Sequence, residues 1–150
     1  MDKLIDLTDG IDLQILSYAR HPSMEKSEKI LNARVKKSLL MAEQYPEFRS
    51  NYLVCAERSQ KSKTFRVDKN HIEDVEQSAL EAITFAEKQL QDNRFLLGNT
   101  YTLADVIWTV VHSRLDLLGY SKWLDKDTFP QISSYYLRMQ HRKNYSLAQI

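Results

Sequence analysis

The chain has 150 residues, of which 43% are hydrophobic and 27% charged, and its formal net charge is +1. These values are typical of one globular domain and disfavour a protein that binds nucleic acid or an acidic membrane through its overall charge. The lone cysteine, Cys55, excludes an intramolecular disulfide, and no apolar run approaches the roughly 18 residues of a membrane span. With an acidic N-terminus unlike a secretory signal, the sequence predicts a soluble, cytoplasmic protein.

Helix-forming residues dominate the sequence, which contains only three glycines and three prolines. This composition predicts an all-α protein with short connections. A short helical start is expected near Leu4, with an interruption at Gly10. Ser23 is placed to cap a long amphipathic helix over 24–44, where apolar residues recur at steps of three and four.

The sequence pattern in the middle of the chain predicts two further helices. Pro46 interrupts the pattern, and a helix over 47–62 should follow it. Its expected buried side consists of Phe48, Tyr52, Val54 and Cys55. After a polar connection, the longest apolar stripe runs over 72–90 and ends near Asn93.

A helix-start signal follows the loop at residues 98–99. Thr102 and Asp105 have the spacing of a capping box, in which each side chain bonds the backbone N–H of the other residue. Tyr101 precedes the cap and is placed to pack on Val106 as a hydrophobic staple. The structural capping role is the favoured interpretation of Asp105, ahead of acid–base chemistry.

The capped helix should run from 103 to about 118 and end at Gly119. It is apolar nearly all round at first, which predicts a helix central to the core. The last long helix should start within 127–130, with Pro130 in its first turn. The whole pattern gives five or six helices.

The segment FLLGNTYTLADVIW over 95–108 resembles the start of the buried sixth helix of two-domain glutathione transferases. The groups RLDLLGY over 114–120 and YYLR over 135–138 look most like the ganglioside-induced differentiation-associated branch of that superfamily. The resemblance implies an all-α, glutathione S-transferase C-terminal-like helical bundle. It also implies that residues 1–150 form a single such domain.

In the proteins that the chain resembles, glutathione is bound mainly by an N-terminal thioredoxin-like domain, which also supplies the residue that stabilises the thiolate. No strand-like alternation precedes the first helix here, so that domain is expected to be absent. The resemblance therefore implies no cofactor for this chain alone, and glutathione only when a thioredoxin-like domain is supplied. Whether the chain belongs to an enzyme stays open.

The resemblance implies a pocket for a hydrophobic substrate. On the matching helices, the candidate pocket residues are Tyr18, Arg20, His21 and Trp108. The alternative is that they pack the face where the missing domain would lie. We assign no catalytic residue.

Other reactive side chains have structural interpretations. Cys55 is expected to be a packed hydrophobe, and His112 a core or cleft residue with one hydrogen bond. The four histidines lack metal-ligand spacing, so no metal site is expected. A solvated face, rather than a nucleic-acid site, is expected for the basic positions Arg58, Lys61, Lys63, Arg66, Lys69, Arg138, Arg142 and Lys143.

Two functions remain open at this point. One is a transferase-type domain that supplies an acceptor pocket and works with a thioredoxin-like partner or parent chain. The other is a non-enzymatic protein-interaction scaffold of the same fold. In either case we expect a homodimer or a thioredoxin-like partner, because the face that normally meets a second domain should be apolar. A small hydrophobic ligand is a further expectation, whereas nucleic acid and membrane are not expected partners.

Overall fold

The fold comes from a computed structural model, which describes residues 2–143 and 145. The predicted all-α class is confirmed, and the described residues contain no β-strand. The helices are α1 (Asp2–Asp9), α2 (Leu13–Ala19), α3 (Met24–Gln44), α4 (Arg49–Phe65), α5 (Lys69–Asp92), α6 (Leu103–Leu117) and α7 (Pro130–Gln140). The sequence predicted five or six helices, the first of them interrupted at Gly10. If α1 and α2 are counted together as that first helix, the described residues form six.

Short 3₁₀ turns at Pro46–Phe48 and Ser121–Trp123 connect longer helices. The chain divides into two compact units, which we call the α3–α4 unit (Gln14–Asp74) and the α6 unit (Met1–Leu13 with Val75–Ile150). Helix α5 contributes to both units. The single-domain organisation over 1–150 stays a prediction.

In the α3–α4 unit, two long helices pack against each other through small side chains. The buried positions of α4 are Ala56, Ser59 and Ser62. The hydroxyls of Ser59 and Ser62 donate to backbone carbonyls four residues earlier in the same helix, each at 2.9 Å. Small residues let two helix axes approach closely, and hydroxyls bonded to their own helix can be buried at little cost.

The predicted buried side of α4 is therefore wrong. Val54 is 63% exposed and Phe48 is 54% exposed, and Cys55 also lies at the surface rather than in the core. The sequence pattern placed the large apolar residues inside, whereas the helix pair excludes them because its contact face is built from alanine and serine. The helix also continues to Phe65, three residues past its predicted end at Ser62.

Arg66 is another correction, because it was expected on a solvated basic face and is only 5% exposed. Its guanidinium donates to the Ser27 hydroxyl at 3.0 Å and to the Glu28 carboxylate at 3.4 Å. Ser27 is fully buried on α3. A buried arginine needs such partners because an unpaired buried charge is costly.

The α6 unit has the larger hydrophobic core. Helix α5 contributes a continuous face of alanines and large apolar residues, namely Val75, Ala79, Ala82, Ile83, Ala86 and Leu90. Helices α1 and α7 both pack against α6. Leu4, Leu115 and Ile132, from α1, α6 and α7 respectively, are all almost fully buried.

The ends of α6 and α7 fix the loops near the candidate site. Gly119 ends α6 with a φ of 84°, while its N–H bonds to Asp116 and the Tyr120 N–H bonds to Leu115, both at 3.0 Å. This is a Schellman motif, and it confirms the predicted helix end. Helix α7 begins at Pro130, where the Glu87 side chain accepts two backbone N–H groups of its first turn.

Candidate functional site

Asp105 is a fully buried carboxylate at the start of α6. Its Oδ2 accepts from the N–H and the hydroxyl of Thr102 at 2.8 and 3.0 Å. Its Oδ1 accepts from the Leu96 N–H at 3.1 Å and from the Tyr135 hydroxyl at 3.0 Å. All four donors are neutral, and together they fill the acceptor positions that an ionised carboxylate offers. Asp105 therefore ties the loop before α6 and the helix α7 to one buried group.

The capping box at Thr102 and Asp105 is present in the structure. The Thr102 hydroxyl adds a side-chain hydrogen bond to the same carboxylate that accepts from the Thr102 N–H. The staple between Tyr101 and Val106 stays a prediction. The Tyr101 ring instead meets Phe95 edge-on at 5.7 Å, and the side chain of Val106 is 42% exposed.

His112 lies fully buried on α6 among three aromatic rings. Its ring centroid is 5.3 Å from that of Trp108, 6.0 Å from that of Tyr135 and 5.5 Å from that of Tyr136. Neither ring nitrogen has a hydrogen-bond partner among the described residues, so the single bond expected from the sequence is wrong. Burial lowers the pKa of His112 to about 3, which keeps the imidazole neutral.

Burial also keeps the neighbouring phenols protonated. It raises the pKa of Tyr135, and the charge and hydrogen bond of Asp105 raise that pKa further. The pKa of Tyr136 rises to about 12, first because of burial and then because of its contact with the Tyr145 hydroxyl. A phenol held protonated is a hydrogen-bond donor rather than a proton acceptor. This cluster therefore builds the core and has no group poised for acid–base chemistry near neutral pH.

The predicted pocket residues fall in both units. Tyr18 is buried in the α3–α4 unit, with the Arg34 guanidinium carbon 5.9 Å from its ring centroid. His21 is part-buried and contacts the backbone of Ser23 through Nδ1, while Arg20 is exposed.

Trp108 belongs to the α6 unit and is only 1% exposed. Its Nε1 has no partner among the described residues, although a buried indole N–H usually finds one. Three of the four predicted pocket residues thus lie in one unit and Trp108 lies in the other. The shared substrate pocket stays a prediction.

Helix α6 also has an apolar face toward solvent, which the sequence pattern assigned to the core. The inward positions are Ala104, Asp105, Trp108, Val111, His112 and Leu115. The outward apolar positions are Leu103, Val106, Ile107, Val110 and Leu117, from 37% to 78% exposed. We call these five residues the α6 stripe. The helix was predicted to be central to the core, and its inward side is buried while the α6 stripe is exposed.

Other chemistry-bearing residues are dispersed. Within residues 2–143 and 145, no group of three His, Cys, Asp or Glu side chains is placed to hold a metal ion. The basic positions over 58–69 lie in the α3–α4 unit and those over 138–143 in the α6 unit. None of the described helices has both the length and the apolarity that crossing a bilayer requires.

The buried start of α6 and the helices around it match a known family. Residues 69–138, which cover α5, α6 and most of α7, match the sequence model of the glutathione S-transferase C-terminal domain. This match supports a glutathione S-transferase C-terminal domain over these residues. The match is to the helical domain, and the resemblance to the ganglioside-induced differentiation-associated branch stays a prediction.

A curated relative supports the same assignment. The chain is 27% identical over 142 residues to a tetrachloro-p-hydroquinone reductive dehalogenase of Sphingobium chlorophenolicum. The alignment covers 95% of the chain but 56% of that enzyme, so the chain spans little more than half of its relative. No solved structure matches the chain.

The sequence pattern predicted the capping box but not the rest of the Asp105 network. Leu96 and Tyr135 lie 9 and 30 residues from Asp105, so no local spacing rule connects the three residues. The one local signal was Gly98, whose φ of 122° forms a tight turn with Phe95. That turn presents the Leu96 N–H to the carboxylate.

Proposed function

We propose that this chain contributes a hydrophobic-acceptor pocket to a glutathione transferase-type protein. It acts with a thioredoxin-like domain, as a separate partner or within a parent chain, and it is not catalytic by itself. The observation that supports this proposal most directly is the α6 stripe. It is an apolar helix face left exposed within the segment that matches the glutathione S-transferase C-terminal model.

The α6 stripe has the properties of a docking face. Leu103, Val106, Ile107, Val110 and Leu117 follow the spacing that places residues on one side of a helix. Full burial of one such side chain stabilises a protein or complex by about 1.5–3 kcal/mol. A partner that covered all five would therefore gain a substantial hydrophobic contribution to its binding free energy. The exposed Arg114 lies on the same face between Val110 and Leu117, and an apolar face of this kind beside a polar group is typical of an interaction site.

The acceptor class is suggested by the relative, whose name identifies tetrachloro-p-hydroquinone as its substrate. We propose electrophilic or halogenated aromatic molecules as acceptors for the complete protein. The described reactive groups agree with a need for a second domain. His112 and Tyr135 are buried and occupied with packing, and the thiol of the exposed Cys55 has no described hydrogen-bond partner to activate it.

The direct test is a conjugation assay with glutathione, using chlorodinitrobenzene and tetrachloro-p-hydroquinone as acceptors. The purified chain should give no turnover above the uncatalysed rate, because we assign none of the described residues to lowering the pKa of the glutathione thiol. Addition of a thioredoxin-like domain, in trans or fused before residue 1, should restore turnover. Robust turnover by the isolated chain would contradict the proposal and redirect attention to Cys55, Tyr18 and His112.

The role of the α6 stripe is tested in the conjugation assay that contains both the chain and the added thioredoxin-like domain. The double variant Val110→Gln/Leu117→Gln should lower turnover in trans at least tenfold by weakening association, while the stability of the isolated chain stays nearly unchanged. Val67→Gln is a matched control, because Val67 is 56% exposed and lies on the connection between α4 and α5. Equal losses in both variants would mean that the stripe is not the docking face.

The alternative is a non-enzymatic interaction scaffold, and one observation favours it. Four large apolar side chains are 45–63% exposed on α3, α4 and the turn between them, namely Leu39, Leu40, Phe48 and Val54. This surface supports a homodimer or another protein partner. Failure to bind glutathione-agarose even with a thioredoxin-like domain present, together with stable self-association, would favour the scaffold. We also propose a cytoplasmic location, where an exposed Cys55 would remain reduced.

A further inference from the structure

The α6 unit contains an open groove of about 650 Å³ along α7. It lies on the outward side of α7 and is bordered by the loop that precedes α6. The residues that matter most for its chemistry are Arg94, Lys126, Arg138 and Arg142, together with an apolar floor that includes Phe95 and Met139. We call this feature the basic groove. None of the residues proposed above for the acceptor pocket or for docking lines it.

The basic groove concentrates positive charge in a protein that is otherwise almost neutral. Its lining includes Arg94, Lys126, Arg138 and Arg142 but no aspartate or glutamate, whereas the whole chain has a net charge of only +1. Among the described residues, none of these four side chains forms an ion pair. Unneutralised cations along a concave surface attract anions, because a groove focuses the electrostatic field.

Two of the arginines are held in place by neutral groups. Arg138 donates to the Ser134 hydroxyl at 3.1 Å and to the Arg94 carbonyl at 2.8 Å. These contacts leave further N–H donors of its guanidinium available to a ligand. The guanidinium carbon of Arg142 lies 3.6 Å from the ring centroid of Tyr101, a close cation–π contact. Both side chains are therefore positioned before any anion arrives, which reduces the entropy lost on binding.

The floor of the groove is apolar and indicates that a bound anion would also have an apolar part. Phe95 is 8% exposed and Met139 is 2% exposed, and Pro130 and Leu137 complete the apolar lining. Ser133 adds a hydroxyl beside them. An inorganic anion would leave this apolar surface without a partner, whereas a neutral apolar molecule would leave the cations unpaired. The lining fits a ligand with both parts.

We propose that the basic groove binds a small organic anion with an aromatic or aliphatic body, such as an aryl sulfonate or aryl carboxylate. The arginines bind the anionic group, and the apolar floor packs against the body. A nucleic acid fits less well, because the positive charge is confined to one groove rather than extended as a stripe along the molecule.

The first experiment uses naphthalene-2-sulfonate as the probe and the full chain as the protein. In ¹H–¹⁵N correlation spectra, the probe should shift the amide signals of Phe95, Ser133 and Leu137. Naphthalene-2-methanol, which has the same ring system without the charge, should bind at least tenfold more weakly, and inorganic phosphate should not compete at similar concentrations. Shifts confined to the α6 stripe, or equal affinity for the neutral analogue, would overturn the proposal.

Charge-removal variants supply the second measurement, by calorimetric titration with the same probe. Arg142→Gln and Lys126→Gln should each raise the Kd several-fold to tenfold, since both residues are exposed and lie at the groove. Lys88→Gln removes the same charge from an exposed position of α5 outside the groove and should leave the Kd unchanged. Equal weakening by Lys88→Gln would indicate a general charge effect and refute the site. Tighter binding of a short single-stranded DNA than of the probe would also refute it, in favour of nucleic acid.

Discussion

At the scale of single residues, the buried Asp105 carboxylate controls the stability of the α6 start. Asp105→Asn keeps the shape of the side chain but replaces one acceptor oxygen with an NH₂ group. In either orientation that group faces a backbone N–H, of Thr102 or of Leu96, which then loses its partner. We expect a loss of about 2–3 kcal/mol in the free energy of unfolding, measured by urea denaturation.

Thr102→Ala is the matched comparison for the same network. It removes the hydroxyl but leaves the Thr102 N–H bonded to Asp105, so the expected loss is only about 1 kcal/mol. If Asp105→Asn cost no more than Thr102→Ala, the carboxylate would be acting as a simple helix cap and not as the centre of a buried network.

His112 gives the protein a specific sensitivity to acid. In the folded chain its pKa is lowered to about 3, whereas in the unfolded chain it titrates near its ordinary value of 6.5. As the pH falls below about 6.5, the unfolded state binds a proton that the folded state refuses, so stability decreases by up to about 1.4 kcal/mol per pH unit until about pH 3. Stability above about pH 7 is unaffected by this group.

The test compares urea denaturation of the wild type and His112→Phe at about pH 7.5 and about pH 5.5. The wild type should lose about 1 kcal/mol more than the variant between the two conditions. His21, His71 and His141 are present in both proteins and cancel in the comparison. An identical pH dependence in the two proteins would mean that His112 takes up a proton in the folded state.

At the scale of elements, the small-residue contact between α3 and α4 should be intolerant of larger side chains. Ala56→Leu places a large side chain at a position that is 5% exposed and should cost about 1–3 kcal/mol through overpacking. Val54→Ala, two residues away and 63% exposed, should change the stability by less than about 0.5 kcal/mol. Thermal denaturation of both variants compares the two stability changes. A larger loss for Val54→Ala than for Ala56→Leu would mean that Val54 lies on the buried side of α4, as the sequence predicted.

The same elements show what the sequence could predict. Helix starts and ends with local signals, such as Ser23 and Gly119, agree with the structure because a cap depends on residues a few positions apart. The faces of α4 and α6 were predicted less well, because apolarity alone does not say which neighbour covers a helix side. The Glu87 side chain that caps α7 lies 44 and 45 residues from the N–H groups it accepts, beyond any local pattern.

At the scale of the whole molecule, the basic groove was also beyond sequence reasoning. Arg138 and Arg142 were noted as basic positions, but their interpretation as a solvated face rested on the nearly neutral net charge of the chain. The fold brings Arg94 and Lys126 to the same groove and no carboxylate with them. The net charge of the sequence therefore does not show how many basic side chains the fold places together on one surface.

The exposed apolar surface also predicts self-association of the whole molecule. Leu40 on α3 and Val54 on α4 are 59% and 63% exposed, and we expect a homodimer at micromolar concentration because burying such side chains removes apolar area from water. Sedimentation velocity over a concentration series should show a species of twice the 17.6 kDa chain mass.

The double variant Leu40→Lys/Val54→Lys should shift that association to higher concentration, because two charges would have to be desolvated at the interface. Leu117→Lys is the control, since Leu117 is 78% exposed but lies on the α6 stripe, which we assign to a thioredoxin-like domain. If Leu117→Lys alone dissociated the dimer, the α6 stripe would be the homodimer interface and could not at the same time bind a second domain. A monomer at every concentration would mean that Leu40 and Val54 have no role in self-association and would contradict the prediction.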